Sequence, residues 1–134
     1  MIMIEKITYK DFTYAIVVRS EYRSDNIDFI NDPSDILQVG YMSHKKNHKI
    51  VPHRHKDFKR NISGTQEVLL IQEGKLKTIF FDSENNEVTS VILEKGDLIL
   101  LLGGAHGFDV LEDLSMIEVK NGPYAGDQDK TKFY

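Results

Sequence analysis

The chain has no cysteine, which excludes disulfides, thiolate metal sites and cysteine nucleophiles and gives no sign of an oxidising compartment. It has no surplus of basic charge. The 17 Lys and Arg stand against 21 Asp and Glu, for a formal net charge of −4 at pH 7, a balance that argues against a surface built for nucleic-acid phosphates. Long hydrophobic runs are missing too. Residues 1–12 are apolar for only four positions before turning acidic, so neither a secretory leader nor a membrane span is expected and a cytoplasmic protein is the default expectation. No segment of a dozen residues keeps a helical apolar period, which leaves little place for helix.

What is present reads as strand after strand. With 134 residues, 40% of them hydrophobic, the chain has the size of one domain, 1–134, with a core expected over about 36–120 and a polar tail at 121–134. Tyr14–Ser20 is rich in β-branched residues and reads as a strand at a sheet margin, and Leu37–Ser43 alternates in the half-buried manner. Thr65–Ile71 reads as a strand ending at the turn residue Gly74, with Gln66 and Gln72 facing outward or an interface and Thr65 on the face of Glu67. Lys75–Phe81 and Val88–Leu93 flank a polar hairpin tip, and Leu98–Leu102 follows the Lys95–Asp97 turn. The last strands are expected at Gly107–Leu111 and Ser115–Lys120, joined through Glu112–Asp113. Many short strands between turn signals predict an all-β sandwich or barrel.

The chemistry is expected around Val51–Gly74. In an extended segment His53 and His55 point to one face, because strand side chains repeat with a period of two. Glu67 lies in phase with Leu69 and Ile71, where a carboxylate is costly unless it is paired or bound to a cation. A divalent metal held by His53, His55 and Glu67 accounts for all three together. His106 follows the Gly103–Gly104 turn. If Glu67 does not bind an ion, it can serve as a general base. His44 and His48 read as part of a solvated turn. Basic residues cluster at Lys45, Lys46, Lys49, Arg54, Lys56, Lys59 and Arg60; beside a site mouth they would attract an anionic substrate, and otherwise they are a solvated loop.

The order of these residues resembles that of the cupins. Their first motif has a His-x-His pair, then a Glu followed by six residues and a glycine, as Glu67 and Gly74 are spaced here; the stretch between His55 and Glu67 is longer than usual. Their second motif resembles Gly96–His106, with Leu102 in place of a proline and one residue fewer before the histidine. The resemblance implies a single-domain jelly-roll β-barrel and a metal set of His53, His55, Glu67 and His106 holding one divalent transition metal, Zn, Fe, Mn, Ni or Co. It also implies a homodimer and a small-molecule ligand or substrate. The run His53-Arg54-His55-Lys56 is similar to that of cupin-type sugar-nucleotide ketoisomerases, in which a histidine acts as acid/base and metal need not take part, so His53, His55 and Lys56 are catalytic candidates. Glu118–Tyr124 resembles a segment of small bacterial cupins, some of them associated with surface-polysaccharide biosynthesis. Three functions are open at this point. One is a metal-dependent isomerase or dioxygenase acting on a small polar, sugar-derived substrate; the others are a metal-free sugar-nucleotide isomerase or epimerase and a non-catalytic ligand-binding module.

Overall fold

A computed structural model describes residues 2–133. The all-β expectation holds: eight strands form a curled antiparallel half-barrel sheet and a separate two-stranded ribbon. In chain order these are β1 (Ile4–Tyr9), β2 (Phe12–Val18), β3 (Ile27–Phe29), β4 (Gly40–Met42), β5 (Glu67–Phe81), β6 (Glu87–Glu94), β7 (Leu98–Leu101) and β8 (Ala105–Lys120), followed by a single 3-10 turn at Gly126–Gln128. β3 and β4 make the ribbon, and the other six strands make the sheet.

β5 is the axis of the sheet. On one edge its first half pairs with β7 and its second half with β6, while β8 runs along the whole of its other edge. β7 continues to β2, and β2 to β1. β2 is therefore an interior strand, and its residues from Tyr14 to Val18 are buried. The expected margin at Tyr14–Ser20 is corrected by this pairing, because β1 has taken up the hydrogen-bonding groups that an edge would leave open. The free edge that matters lies instead on β8, which among the described residues pairs with β5 alone.

Two expected breaks are not breaks. Thr65–Ile71 and Lys75–Phe81 belong to the single strand β5, and Gly107–Leu111 and Ser115–Lys120 to the single strand β8. At the place where turns were expected, the β5–β8 register shifts between Ile71 and Leu76. Gly74 has φ +91° there, and a Cβ on it would lie 2.1 Å from the Asp113 carbonyl oxygen. Glycine thus supplies a bulge and a close backbone approach, not a chain reversal. Facing irregularities in β5 and β8 bend that strand pair and curl the sheet.

The concave face carries the core. Leu69, Ile71, Leu76 and Phe80 of β5 pack with Leu93 of β6, Ile99 and Leu101 of β7, and Tyr14, Ala15 and Val17 of β2. The core therefore draws on residues upstream of residue 36, with Ile7 of β1 included. Tyr14 closes one end: its ring meets Phe80 edge-on at 5.6 Å and its hydroxyl donates to the Phe81 carbonyl oxygen at 3.0 Å. The turn before β7 is held by Asp97, 5% exposed, whose carboxylate accepts from the Arg19 guanidinium at 3.1 Å and from the backbone N–H groups of Ser20 (3.0 Å) and Glu94 (2.8 Å). Charge-assisted bonds of this kind meet the cost of burying a carboxylate. Gln66, expected outward or at an interface, is 7% exposed within the chain itself, because its side chain ties Leu37 N–H (3.0 Å) to Leu102 O (3.3 Å) across the mouth of the sheet. Among the described residues no helix is long and apolar enough to cross a membrane.

Candidate functional site

The concave face of the sheet opens into a cavity of about 1350 Å³. Its walls come from the start of β5, both ends of β8, the Gly103–Gly104 turn and the returning C-terminal segment Asp129–Phe133. Of the polar tail expected at 121–134, the part Asp129–Phe133 is therefore a wall of the cavity, and Tyr134 lies outside the described residues. Asp129 accepts from the Thr65 hydroxyl at 2.6 Å and from the Lys120 ammonium at 3.2 Å, and Phe133 packs edge-on against Phe81 at 5.3 Å. These bonds hold the Asp129 carboxyl below its usual range, the Thr65 hydrogen bond contributing most. Tyr124 is 85% exposed.

Glu67 opens β5 on the concave face. Across the β5–β8 pair, Lys120 lies opposite Glu67 and Glu118 opposite Leu69, so Glu118 is the diagonal neighbour of Glu67 on the same face. The two carboxyl groups are close enough for Glu118 to act on Glu67. Burial, then the nearness of Glu118 and its charge, push the Glu67 carboxyl up to about 7, against the pull of Lys120 and Lys130. A carboxyl that is half-buried beside another acidic group ionises at a cost, so Glu67 keeps its proton further toward neutrality than an exposed glutamate does.

His106 is on the second residue of β8, opposite Phe80. Burial lowers its pKa, and Lys130 acts in the same sense, while Glu118 opposes them. The imidazole is thus held neutral, with one ring nitrogen available as acceptor and the other as donor. Its ring lies 5.2 Å from Phe108, the next inward residue of β8. The expected turn at Gly103–Gly104 is present, with Gly104 at φ +75° against the Tyr14 ring, and it delivers His106 to the cavity.

Of the expected metal set, Glu67 and His106 line this cavity and His53 and His55 do not. Those two lie on a strap, residues 43–66, that has neither helix nor strand and is exposed throughout 43–64. Their rings meet edge-on at 5.3 Å, and His53 Nδ1 lies 2.9 Å from the Val51 carbonyl oxygen. Lys56 is exposed on the same strap. His44 and His48 stack at 4.3 Å across the Lys46–Asn47 turn, exposed as the solvated-turn reading has it. Among the described residues no three His, Asp or Glu side chains converge closely enough to hold a metal ion. The donors present therefore do not fit the four-ligand centre that the cupin resemblance implies.

Glu118, Asp129 and Lys130 entered the site without being foreseen. Glu118 carried a readable signal, since it alternates in phase with Met116, which packs against the core, just as Glu67 alternates with Leu69. Asp129 and Lys130 lie in a segment without periodicity and carried none. The cavity is acidic on balance: Asp35, Glu67, Glu87, Asp109, Glu118 and Asp129 line it against Lys130 and Lys132. The strap's basic cluster takes no part in it. No protein-family model, curated protein or solved structure matches this chain.

Proposed function

We propose that the chain is a small cupin-like protein, its half-barrel of the jelly-roll type, and that its cavity carries out metal-independent proton transfer on a small, uncharged, polyhydroxylated substrate. The reaction class is isomerisation or epimerisation of a sugar-derived molecule. The observation that carries this reading is Glu67, whose carboxyl is pushed up to about 7 beside Glu118 in an open cavity. A group poised near the working pH can both take and give a proton, which is the requirement for general acid–base catalysis. His106, held neutral on the same cavity wall, is the second proton-handling group. The acidic balance of the lining disfavours an anionic substrate, and carboxylates are good acceptors for sugar hydroxyls.

Carbon-bound hydrogen exchange tests this without knowledge of the product. The protein is incubated in D2O with a panel of neutral aldoses, ketoses and deoxysugars, with their anionic nucleotide-linked forms as the contrasting set, and deuterium uptake is read by mass spectrometry. Native protein should label one class of sugar, and Glu67→Gln should abolish the label, since the amide cannot accept the proton. Binding of a sugar without exchange would instead support a non-catalytic module. A stoichiometric transition metal in the purified protein that is lost in His106→Ala would support the metal-dependent reading.

A further inference from the structure

The strap and the body carry opposite charge. Residues 44–60 hold 7 of the 17 Lys and Arg and, in Asp57, one of the 21 acidic residues; the rest of the chain keeps 10 basic residues against 20 acidic ones. The strap is also apolar where it gains nothing from being so. Ile50, Val51, Phe58 and Ile62 are between 50% and 76% exposed. Its backbone belongs to no sheet or helix, so its N–H and C=O groups are not taken up by a ladder.

β8 shows the converse deficit. It is 16 residues long and among the described residues pairs on one side only, leaving roughly 50 Å of open edge at about 3.3 Å per residue. Five of its apolar residues, Phe108, Val110, Leu111, Ile117 and Val119, are 37% to 59% exposed. Its charges are Asp109, Glu112, Asp113 and Glu118, with Lys120 the one basic residue, at its end. Long edge strands are ordinarily blunted by lysine, proline or a covering segment. This edge has no proline and no central lysine, which leaves a cover as the remaining device, and the chain's own strap does not provide one.

We propose that the strap of one copy of this chain pairs along the free edge of β8 in a second copy, and reciprocally, making a strap-exchanged homodimer. Backbone pairing along an open edge supplies affinity, and the side chains supply register. An antiparallel register that sets Phe58 opposite Val110 also sets Lys59 opposite Asp109 and Lys56 opposite Glu112, so an apolar pair and two ion pairs fall together. Complementary charge of this kind steers association and selects the partner.

A charge exchange tests the pairing. The strap variant Lys56→Glu/Lys59→Glu and the edge variant Asp109→Lys/Glu112→Lys are examined by sedimentation equilibrium, alone and mixed, with circular dichroism to confirm that each is folded. Native protein should be dimeric at about 10 μM, as a standard-sized interface would be. Each variant alone should dissociate about 100-fold more readily, because both of its reciprocal contacts set like charges together. The equimolar mixture should return to dimer, since both contacts in the mixed pair are again complementary. A native monomer at that concentration overturns the proposal, including one whose strap captures a labelled oligonucleotide. So does a strap variant that dimerises as tightly as the native chain, the result of edge-to-edge β8 pairing, and so does a mixture that stays monomeric, the result of each strap closing on its own body.

Discussion

The strap and β5 are consecutive in the chain and opposite in behaviour. From residue 43 to 64 every residue is exposed, whereas β5, beginning three residues later, contains Leu69, Ile71, Leu76 and Phe80 at 1% exposure or less. A shortage of apolar side chains does not explain the contrast, because the strap has its own Ile50, Val51, Phe58 and Ile62. What differs is arrangement. In β5 the apolar residues alternate and can all reach one face, so burying them removes a continuous area from water. In the strap His, Arg, Lys and Asp interrupt every short apolar run, and a face that buried Val51 or Phe58 within one chain would bury charge with it. A surface that supplies the opposite charge would cover those apolar residues without stranding the charges between them.

The contrast can be broken most severely from the sheet side. Phe80→Ala removes a fully buried ring that meets Tyr14 edge-on, and a loss of about 3–5 kcal/mol is expected in urea unfolding. A loss below about 1 kcal/mol would mean that the concave face is loosely packed. The next largest effect is at the bulge. Gly74→Ala places a Cβ 2.1 Å from the Asp113 carbonyl oxygen at φ +91°, so β5 and β8 must part locally, at a cost of more than about 2 kcal/mol. The same measurement would return a few tenths of a kcal/mol if the strands ended at Gly74 as ordinary turn-linked strands.

A smaller effect of distinctive sign is expected in the cavity. The folded-state pKa of Glu67 is raised from 4.5 to about 7, so the folded protein binds the extra proton between those values. Stability should then fall as pH rises through that window, by about 1–2 kcal/mol once partial solvent exposure is allowed for. His106 acts the other way: its lowered pKa makes its contribution present above the unfolded value of 6.5 and lost as pH falls below it. Glu67→Gln mimics the protonated acid and keeps a donor beside Glu118, so at pH 8 the variant should be more stable than the parent by about 1 kcal/mol. It should also expose the His106 trend alone, stability declining on acidification. A variant less stable than the parent at pH 8 would show that Glu67 is held as a carboxylate, by a cation for instance.

The same contrast explains what could be read from residue order. The strands of the core were legible, because alternation and turn residues are local signals: the hairpin of β5 and β6, the turn at Lys95–Asp97 and the strand after it are where the pattern puts them. Glu67 was legible as a charged residue in an apolar phase, and His106 through the glycine turn before it. The continuity of β5 was not, because a glycine with positive φ looks alike in a turn and in a bulge, nor was that of β8, whose polar Glu112–Asp113 pair looks alike in a connection and on an exposed strand; only the facing strand decides. The burial of Gln66 was hidden for the same reason, its partners Leu37 and Leu102 lying 29 and 36 residues away in sequence. The convergence of His53 and His55 with Glu67 was inferred from parity, and parity applies only to residues that are in strands.

The smallest expected effect is accordingly on the strap. His53 and His55 are exposed, and within the chain they touch each other and the Val51 carbonyl, so the double variant His53→Ala/His55→Ala should alter monomer stability by less than about 0.5 kcal/mol, as surface substitutions usually do. It should also leave deuterium exchange in the cavity intact while Glu67→Gln abolishes it. Thermal melts with and without added Zn²⁺ make the test sharper. A metal that binds the folded state alone raises the melting temperature by mass action, and imidazoles are its preferred ligands among the groups available here. If Zn²⁺ stabilises the native chain and fails to stabilise the double variant, the strap histidines gather a metal in solution and the cavity's proton chemistry loses its claim to be metal-independent. If the two chains melt alike under both conditions, the working groups are those that the sheet itself holds, Glu67, Glu118 and His106.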